Sequence, residues 1–463
     1  MSNPSAPHSG STTPRKSGAG PLLVRSYLEI NESVQDDTIV EKNGILRIRG
    51  NIKGSLTIEK GASVIVDGSV DGKVINRGGK LVVNNLALAE FVSFDGPPEA
   101  EAGGTLSIFL SAIASNWSAL ARRTEAECAA VVKADAYGCG IDPITSALGR
   151  AGCKTFFVSN LAEARRVRAA VRDAIIYVLN GLYPGTAPSF VEINARPVIG
   201  SLVEIAEWDV FVASSQWQGG FALNVDIGAS RSGIALQDAS ALAARSRLSN
   251  HGITLLMSHL DNARKPDHPL NDRQIRLFQD MRQLYRGIPA SLANSSGMFL
   301  GPRTHYDLVR PGAALYGVNP TPGAANPMRP AIELRARIVQ LRNVQRGETI
   351  AFKADWTAKR PTLLALVPVG YADGYPRMGI APNHALQAIV GGKRCPLLGC
   401  ASMDLLAIDV TDLPDPAAAR RGEMVTLIGE HMGVDNFAAA AKSTEYELLT
   451  SLGRRFHRIY YAP

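Results

Sequence analysis

Apolar and polar positions alternate in different ways along the chain, and the changes mark its organisation. Residues 1–25 are Ser, Pro, Gly and Thr with few large apolar side chains, too few to offset the entropy of ordering, so a disordered tail is expected there. From 26 to 95 a period-2 alternation sets in, broken by glycine, as in GILRIRG and GKLVVNN. Gly50 and Gly54 of GNIKG recur as Gly68 and Gly72 of GSVDG, 18 residues further on. Alternation at a fixed repeat predicts turns of a small β-solenoid, with a β-sandwich or irregular meander as the competing reading. GPPEAEAGG, over 96–104, is Pro/Gly-rich without apolar anchors and reads as a linker.

Over 105–330 the texture changes again. The apolar runs CAAVVKAD, KTFFVSN, AIIYVLNG, FALNVDIG and ITLLMSHLD alternate with helical segments such as LAEARRVRAAVR and DRQIRLFQDMRQLY. Strands alternating with helices predict a parallel sheet, most simply a (β/α)8 barrel. From about Ala331 strands follow one another without long helices, as in AIELRARIVQLRNV and PTLLALVPVG. That predicts a separate β-rich domain over 331–463, with a last helical piece near 435–452 and a final RIYY strand. The expected class is α/β: a barrel, a β-rich C-terminal domain and an N-terminal all-β extension.

Composition narrows the function. With 463 residues, 46% of them hydrophobic, the chain can fill two or three cores. Its 49 basic and 42 acidic residues leave +7, and no five-residue Lys/Arg block occurs. The excess suits small anionic ligands and gives no reason to expect nucleic acid. Five cysteines (Cys128, Cys139, Cys153, Cys395, Cys400) make no CxxC pair and no zinc spacing, so reduced thiols and no metal site are expected. The first twenty residues lack the apolar stretch of a leader, and no run approaches transmembrane length. A soluble, cytoplasmic chain is expected.

One residue stands out against this background. Lys133 ends the apolar strand of VVKADAYGCG, where an unpaired ammonium would be costly to bury. Taken alone it reads as a snorkelling or carboxylate-paired lysine. At the C-terminal end of a first barrel strand, however, it would point into the mouth where barrel active sites lie. Desolvation there lowers its pKa and leaves a neutral amine for chemistry.

KADAYG (133–138), VDIGASRSG (225–233), SHLDN (258–262), NSS with VRPGAALYG (294–296 and 309–317), and GYADGYPR with CASMD (370–377 and 400–404) occur in one order. With these stretches the chain resembles the alanine racemase family over 105–463, in the family's order and spacing. The resemblance implies pyridoxal 5'-phosphate as cofactor, held as an aldimine on Lys133, and racemisation by two bases. Lys133 serves one face of Cα and Tyr371 the other, supplied across a homodimer interface. Tyr137, Ser295, Gly312 and Ala313 would hold the phosphate, and Arg310 would face the pyridine nitrogen. His259 would contact the catalytic tyrosine, and Arg231 the cofactor's phenolic oxygen and the substrate carboxylate. Met403 and Asp404 would border that carboxylate from the partner subunit. The implied activity is interconversion of L- and D-alanine, supplying D-alanine for peptidoglycan. Over 26–95 the glycine repeat resembles the bactofilins, polymer-forming β-helical proteins, which implies self-assembly or a cytoskeletal contact.

The family pattern is not matched throughout. Asn224 stands where the family often has a lysine that steadies the carboxylate-binding arginine, and Asn224 is expected to hydrogen-bond Arg231 instead. Alignment of GRRFHR puts Arg454 at the phosphate tyrosine. Asp135 and Cys139 differ at tolerant positions. Asp261, Asn262 and Arg264 are unusual at the entrance, and Arg264 is expected to place positive charge near the mouth. Three other readings therefore stay open: a broad-specificity racemase, a barrel-fold decarboxylase (disfavoured by Arg310 and the paired bases), and a non-catalytic bactofilin-like polymer subunit.

Overall fold

The computed structural model describes residues 20–83, 88–95, 97–215, 217, 219–245, 252–350, 356–377 and 386–461. These form two compact units: residues up to Phe109 with Leu334–Ala336 and 454–461, and Leu110–Glu333 with Arg337–Gly453.

In the first unit the 18-residue glycine spacing becomes a helix of parallel strands. Tyr27–Ile30, Ile45–Ile48, Ser63–Val66 and Lys80–Val83 form one row, Tyr27 opposite Ile45 and Ile45 opposite Ser63. Thr38–Val40 and Leu56–Ile58 lead into the second half of Ser69–Asn76, and Ser33–Val34, Asn51–Ile52 and Ser69–Val70 make the third row. Every second side chain turns inward, so Val40, Leu46, Ile48, Ile52, Leu56, Ile58, Val64, Val66, Val70 and Val74 fill one aliphatic core. The repeated glycines stack because successive coils touch there: a Cβ on Gly68 would overlap the Gly50 carbonyl oxygen, and one on Gly72 that of Gly54. Gly68→Ala is expected to destabilise this unit by about 1–3 kcal/mol through overpacking. Exposed Lys60→Ala should stay within about 0.5 kcal/mol. Earlier proteolysis between residues 20 and 83 in the first variant alone is the expected readout.

Two expectations change. Leu22–Val24 pairs in parallel with Thr38–Val40, and Val24 is buried, so order begins before residue 26; residues 1–19 of the expected tail lie outside the described residues. The final strand also does not belong to the C-terminal domain alone. Leu88–Asp95 runs parallel to Ser69–Asn76 and antiparallel to His457–Tyr461, which in turn pairs in parallel with Gly104–Phe109. The segment read as a linker therefore reverses the chain between two strands flanking the last one, and the His457 Nδ1 lies 2.8 Å from the Pro97 carbonyl oxygen.

The second unit contains the barrel. Its strands are β1 (Glu127–Cys128 continuing as Ala130–Val131), β2 (Thr155–Val158), β3 (Ile175–Val178), β4 (Arg196–Ile199), β5 (Phe221–Asn224), β6 (Ile253–Met257), β7 (Ala290–Ser291) and β8 (Leu308–Val309). Each pairs in parallel with the next from β1 to β7. A bridge from Asn294 to Arg310 joins β7 to β8, and β8 pairs with β1 to close the ring. The strands are almost wholly buried, which explains their continuous apolar runs. The intervening helices show one apolar stripe. Leu161–Ala170 buries only Ala164 and Val167, at i and i+3, and is capped by Asn160 accepting from the Glu163 N–H at 3.0 Å.

After the barrel, antiparallel strands follow in the order Gln340–Val344, Thr362–Val367, Leu406–Asp409, Lys393–Leu398, Gln387–Val390 and Met424–Ile428. The helical piece expected near 435–452 is two short helices, Val434–Ala440 and Glu445–Ser451. Lys442 takes a left-handed φ of 53° in the turn between them. Among the described residues no helix is long and apolar enough to cross a membrane.

Candidate active site

Lys133 follows β1 directly, and the next four residues bend the backbone out of the ordinary range. Ala134, Asp135, Ala136 and Tyr137 all have φ between 52° and 54°, a left-handed turn without a glycine. Such geometry costs roughly 1–2 kcal/mol per residue and persists only where its surroundings fix it. The Gly138 N–H closes onto the Ala134 carbonyl and the Gly140 N–H onto that of Asp135, both at 2.8 Å. Glu163 accepts the Asp135 N–H at 3.1 Å, and the Asp135 carboxylate accepts from Ile141 N–H and Arg166. Asp135 is thus a structural anchor of the turn.

The turn puts the Lys133 amine among cations. Burial, then Arg231 and Arg310, lower its pKa, with Glu163 opposing them. Among the described residues no hydrogen bond or ion pair holds its Nζ, so the paired reading fails, and the side chain is only partly exposed. Arg310, on the bridge after β8, is fully buried. Its Nε donates to Ser291 Oγ at 2.8 Å and its Nη2 to the Ser258 carbonyl, while the guanidinium lies 5.6 Å over the Phe157 ring. Every acceptor is neutral, and burial lowers its pKa to about 10. A buried cation without a counter-charge is costly, and the site is therefore electrostatically ready for an anion.

His259, two residues beyond β6, shares this field. Burial, then Arg310, Arg231 and Lys133, push its pKa down to about 3, so the ring is neutral. Asn294 fixes the tautomer. Its amide oxygen accepts the Gly297 N–H and its Nδ2 donates to the Leu260 carbonyl, so the same Nδ2 donates across 3.3 Å to His259 Nε2. That nitrogen is the acceptor, and the proton sits on Nδ1.

A second cluster lies where the loops after β7 and β8 meet. Buried Ser295 Oγ accepts the N–H groups of Gly312 at 3.0 Å and Ala314 at 3.2 Å, with Ala313 buried between them. Tyr137 stacks on Tyr316 with ring centroids 4.7 Å apart, and its hydroxyl occupies the space a Cβ on Gly312 would need. Only glycine fits at 312 with Tyr137 in place. Arg231 sits on an exposed loop after β5, shaped by the Asp226 carboxylate accepting from Gly228, Ala229 and Ser230 N–H.

Tyr371, Met403 and Asp404 form another group. The Tyr371 N–H donates to the Ser402 carbonyl at 3.0 Å and the Ala372 N–H to that of Met403 at 2.9 Å, so the two loops make one surface. Tyr371 is 41% and Met403 58% exposed, Asp404 is exposed, and Arg377 lies 5.7 Å over the Tyr371 ring. The charges that act on Lys133 come from Arg231, Arg310 and Glu163, none from this surface. Among the described residues no hydrogen bond, ring contact or electrostatic interaction joins this surface to Lys133.

Three details differ from expectation. Asn224 Nδ2 donates to Ser232 Oγ at 3.4 Å, and among the described residues its amide oxygen accepts nothing from Arg231. Arg264 does not leave positive charge free at the mouth, because Glu445 binds its guanidinium through two bonds of 2.8 and 2.9 Å. Arg454 is exposed, and the phenol that the C-terminal helix presents to Tyr137 is Tyr446, with centroids 6.1 Å apart. Sequence reading missed Tyr446, which lies in YELLTS without a distinctive neighbour.

A closed barrel with a desolvated lysine at its C-terminal mouth, beside arginines with no acidic partner among the described residues, is suited to an anionic ligand. Known proteins agree. The model for "Alanine racemase, N-terminal domain" matches residues 108–320 and that for "Alanine racemase, C-terminal domain" residues 331–460. An alanine racemase of Methylobacterium sp. (strain 4-46) is 49% identical over 77% of this chain and 98% of its own. A catabolic alanine racemase of Mesorhizobium japonicum is 44% identical over 78% and 94%. Among solved structures, alanine racemase from Bartonella henselae with covalently bound pyridoxal phosphate has a TM-score of 0.73 at 32% identity, over 77% of this chain and 99% of that one. The biosynthetic enzyme of Pseudomonas aeruginosa gives 0.70 at 34%, over the same shares. The chain belongs to the alanine racemase family, pyridoxal-phosphate-dependent amino-acid isomerases. The residues before 108, with the solenoid, lie outside the family models.

Proposed function

We propose that this chain interconverts L-alanine and D-alanine, supplying D-alanine for peptidoglycan, with Lys133 and a partner subunit's tyrosine at position 371 as the two proton-transferring groups. The observation that carries the reading is the Lys133 amine, desolvated and surrounded by Arg231 and Arg310 with no ion pair of its own among the described residues. The same site fits pyridoxal phosphate. Arg310 is a buried cation lacking an anion, and Ser295 Oγ with the Gly312 and Ala314 N–H groups makes a small-residue cradle against the Tyr137 hydroxyl. Lys133 would hold the cofactor covalently, Ser295, Gly312, Ala313 and Tyr137 its phosphate, Arg231 its phenolic oxygen and Arg310 its ring nitrogen. When bound, pyridoxal phosphate supplies an electron sink that makes the proton on the substrate Cα labile.

The residues then direct that lability. A guanidinium keeps its proton, so Arg310 would not protonate the ring nitrogen it would hold, and return of a proton to Cα would be favoured over competing reactions. Lys133, with its lowered pKa, takes or gives the proton on one face. Tyr371 acts on the other, and a phenol needs nearby cations to give up its proton readily. Neutral His259 would face that tyrosine with a ring that carries no charge to repel them. Arg231 would hold the substrate carboxylate, bordered by Met403 and Asp404 of the composite site. Because Tyr371, Met403 and Asp404 share an exposed surface, we propose a homodimer in which that surface completes the partner's barrel mouth.

A racemisation assay over the common L-amino acids by chiral separation tests the substrate. Turnover confined to alanine is expected. The entrance charge that put the substrate range in doubt is neutralised in the Arg264–Glu445 pair. Comparable turnover of basic or larger side chains would overturn the alanine assignment.

For the N-terminal unit we propose self-assembly, supported by exposed Leu23 and Tyr27 on its outer strands and exposed Ile45 on the next coil. Sedimentation of the full chain should show species above the dimer; a discrete dimer at every salt concentration would contradict this.

A further inference from the structure

Glu445 opens the helix Glu445–Ser451, and Arg264 lies in the loop after β6, 181 residues earlier. Their pairing is two-pronged, with side chains 33% and 13% exposed, and so is less screened than the chain's surface ion pairs. The helix it holds is seated on the lysine turn itself. Gly138, which closes that turn at φ 76°, has no room for a Cβ because the Leu449 carbonyl oxygen lies against it. The residue after Glu445 is Tyr446, whose ring tilts at 42° onto Tyr137. Tyr137 in turn closes over Gly312, whose N–H meets Ser295. A continuous set of contacts thus runs from Arg264 through Glu445, Tyr446 and Tyr137 to the cradle.

The surroundings make the arginine necessary. Asp435, on the neighbouring helix, accepts the Asn319 N–H at 3.0 Å; burial, with the nearby Glu445 carboxylate, raises its pKa, while Arg264 works the other way. Without Arg264, Glu445 would be left largely buried without its ion-pair partner and near the Asp435 carboxylate, and the helix would have reason to move.

We propose that Arg264 and Glu445 are positioning residues that pin Tyr446 on Tyr137 and so set the grip of the cradle on the cofactor's phosphate. The proposal rests on the reading of pyridoxal phosphate at Lys133. The test compares wild type, Arg264→Ala, Glu445→Gln, Tyr446→Ala and the double variant Arg264→Ala/Tyr446→Ala. It measures the dissociation constant of pyridoxal phosphate, kcat at saturating cofactor, and the melting temperature of cofactor-free protein. Arg264→Ala and Glu445→Gln should each weaken cofactor binding about tenfold, the scale of one charge-assisted contact. kcat should stay within about threefold of wild type once the cofactor saturates. The double variant should bind no worse than Tyr446→Ala alone, since both changes act through one phenol. The exchange Arg264→Glu/Glu445→Arg should recover most of the affinity. Wild-type cofactor affinity in both single variants, or a loss that adds in full to that of Tyr446→Ala, would overturn the proposal. So would a fall in melting temperature with cofactor affinity unchanged. Wild-type protein that takes up no pyridoxal phosphate on Lys133 would instead overturn the underlying reading.

Discussion

Lys133→Ala should lower racemisation of either enantiomer by at least about 10⁴-fold, because one residue supplies both the covalent hold on the cofactor and one of two proton transfers. The variant should still fold, since the left-handed turn after it is fixed by backbone bonds from Gly138 and Gly140 and by Glu163, none of which uses the lysine side chain. Its state of assembly should match that of wild type, and it should lose the cofactor on dialysis where wild type keeps it. Chiral separation of the products, with light scattering as the control for assembly, reads both effects. A loss of less than tenfold would show that the desolvated amine is not the base.

Tyr371→Phe should cost about 10²–10⁴-fold, the range for loss of a general acid–base group. The drop in kcat/KM should be the same from L-alanine and from D-alanine, because the two substrates are mirror images and their equilibrium constant cannot be changed by the enzyme. Cofactor binding should be little affected, since Tyr371 is not among the residues that would hold the cofactor's phosphate, phenolic oxygen or ring nitrogen. An unchanged rate would remove Tyr371 from the mechanism, and an equal loss of cofactor would make its role structural.

Much of this site was legible because barrel strands write themselves as apolar runs, and the residues at their ends fall at the mouth. Lys133 was placed in this way, whereas the roles of His259, Ser295 and Arg310 came from the family resemblance carried by SHLDN, NSS and VRPGAALYG. The solenoid was legible for a similar reason: coils that touch at Gly50 and Gly68 force the same small residue every turn. What stayed hidden depended on partners distant in sequence. Nothing in KADAY signals a left-handed turn, since neither glycine nor asparagine occurs between 134 and 137 and the geometry is imposed by Glu163 and the backbone of 138–140. Arg264 read as free charge because its carboxylate lies 181 residues away. Tyr446 was passed over for position 454 because only the fold shows which residue of the C-terminal helix meets Tyr137. The pairing of His457–Tyr461 with Leu88–Asp95 likewise joins the two ends of the chain, beyond the reach of any local pattern.

The central claim is that each site joins Lys133 of one subunit to the tyrosine of another, and subunit mixing tests it most directly. Inactive Lys133→Ala and Tyr371→Phe proteins would be dissociated together, reassociated, and assayed for alanine racemisation. Random pairing makes half the dimers mixed, each with one intact composite site, so about a quarter of wild-type activity should return. No recovery in a preparation shown to contain mixed dimers would contradict the account, because it would place both bases within a single chain.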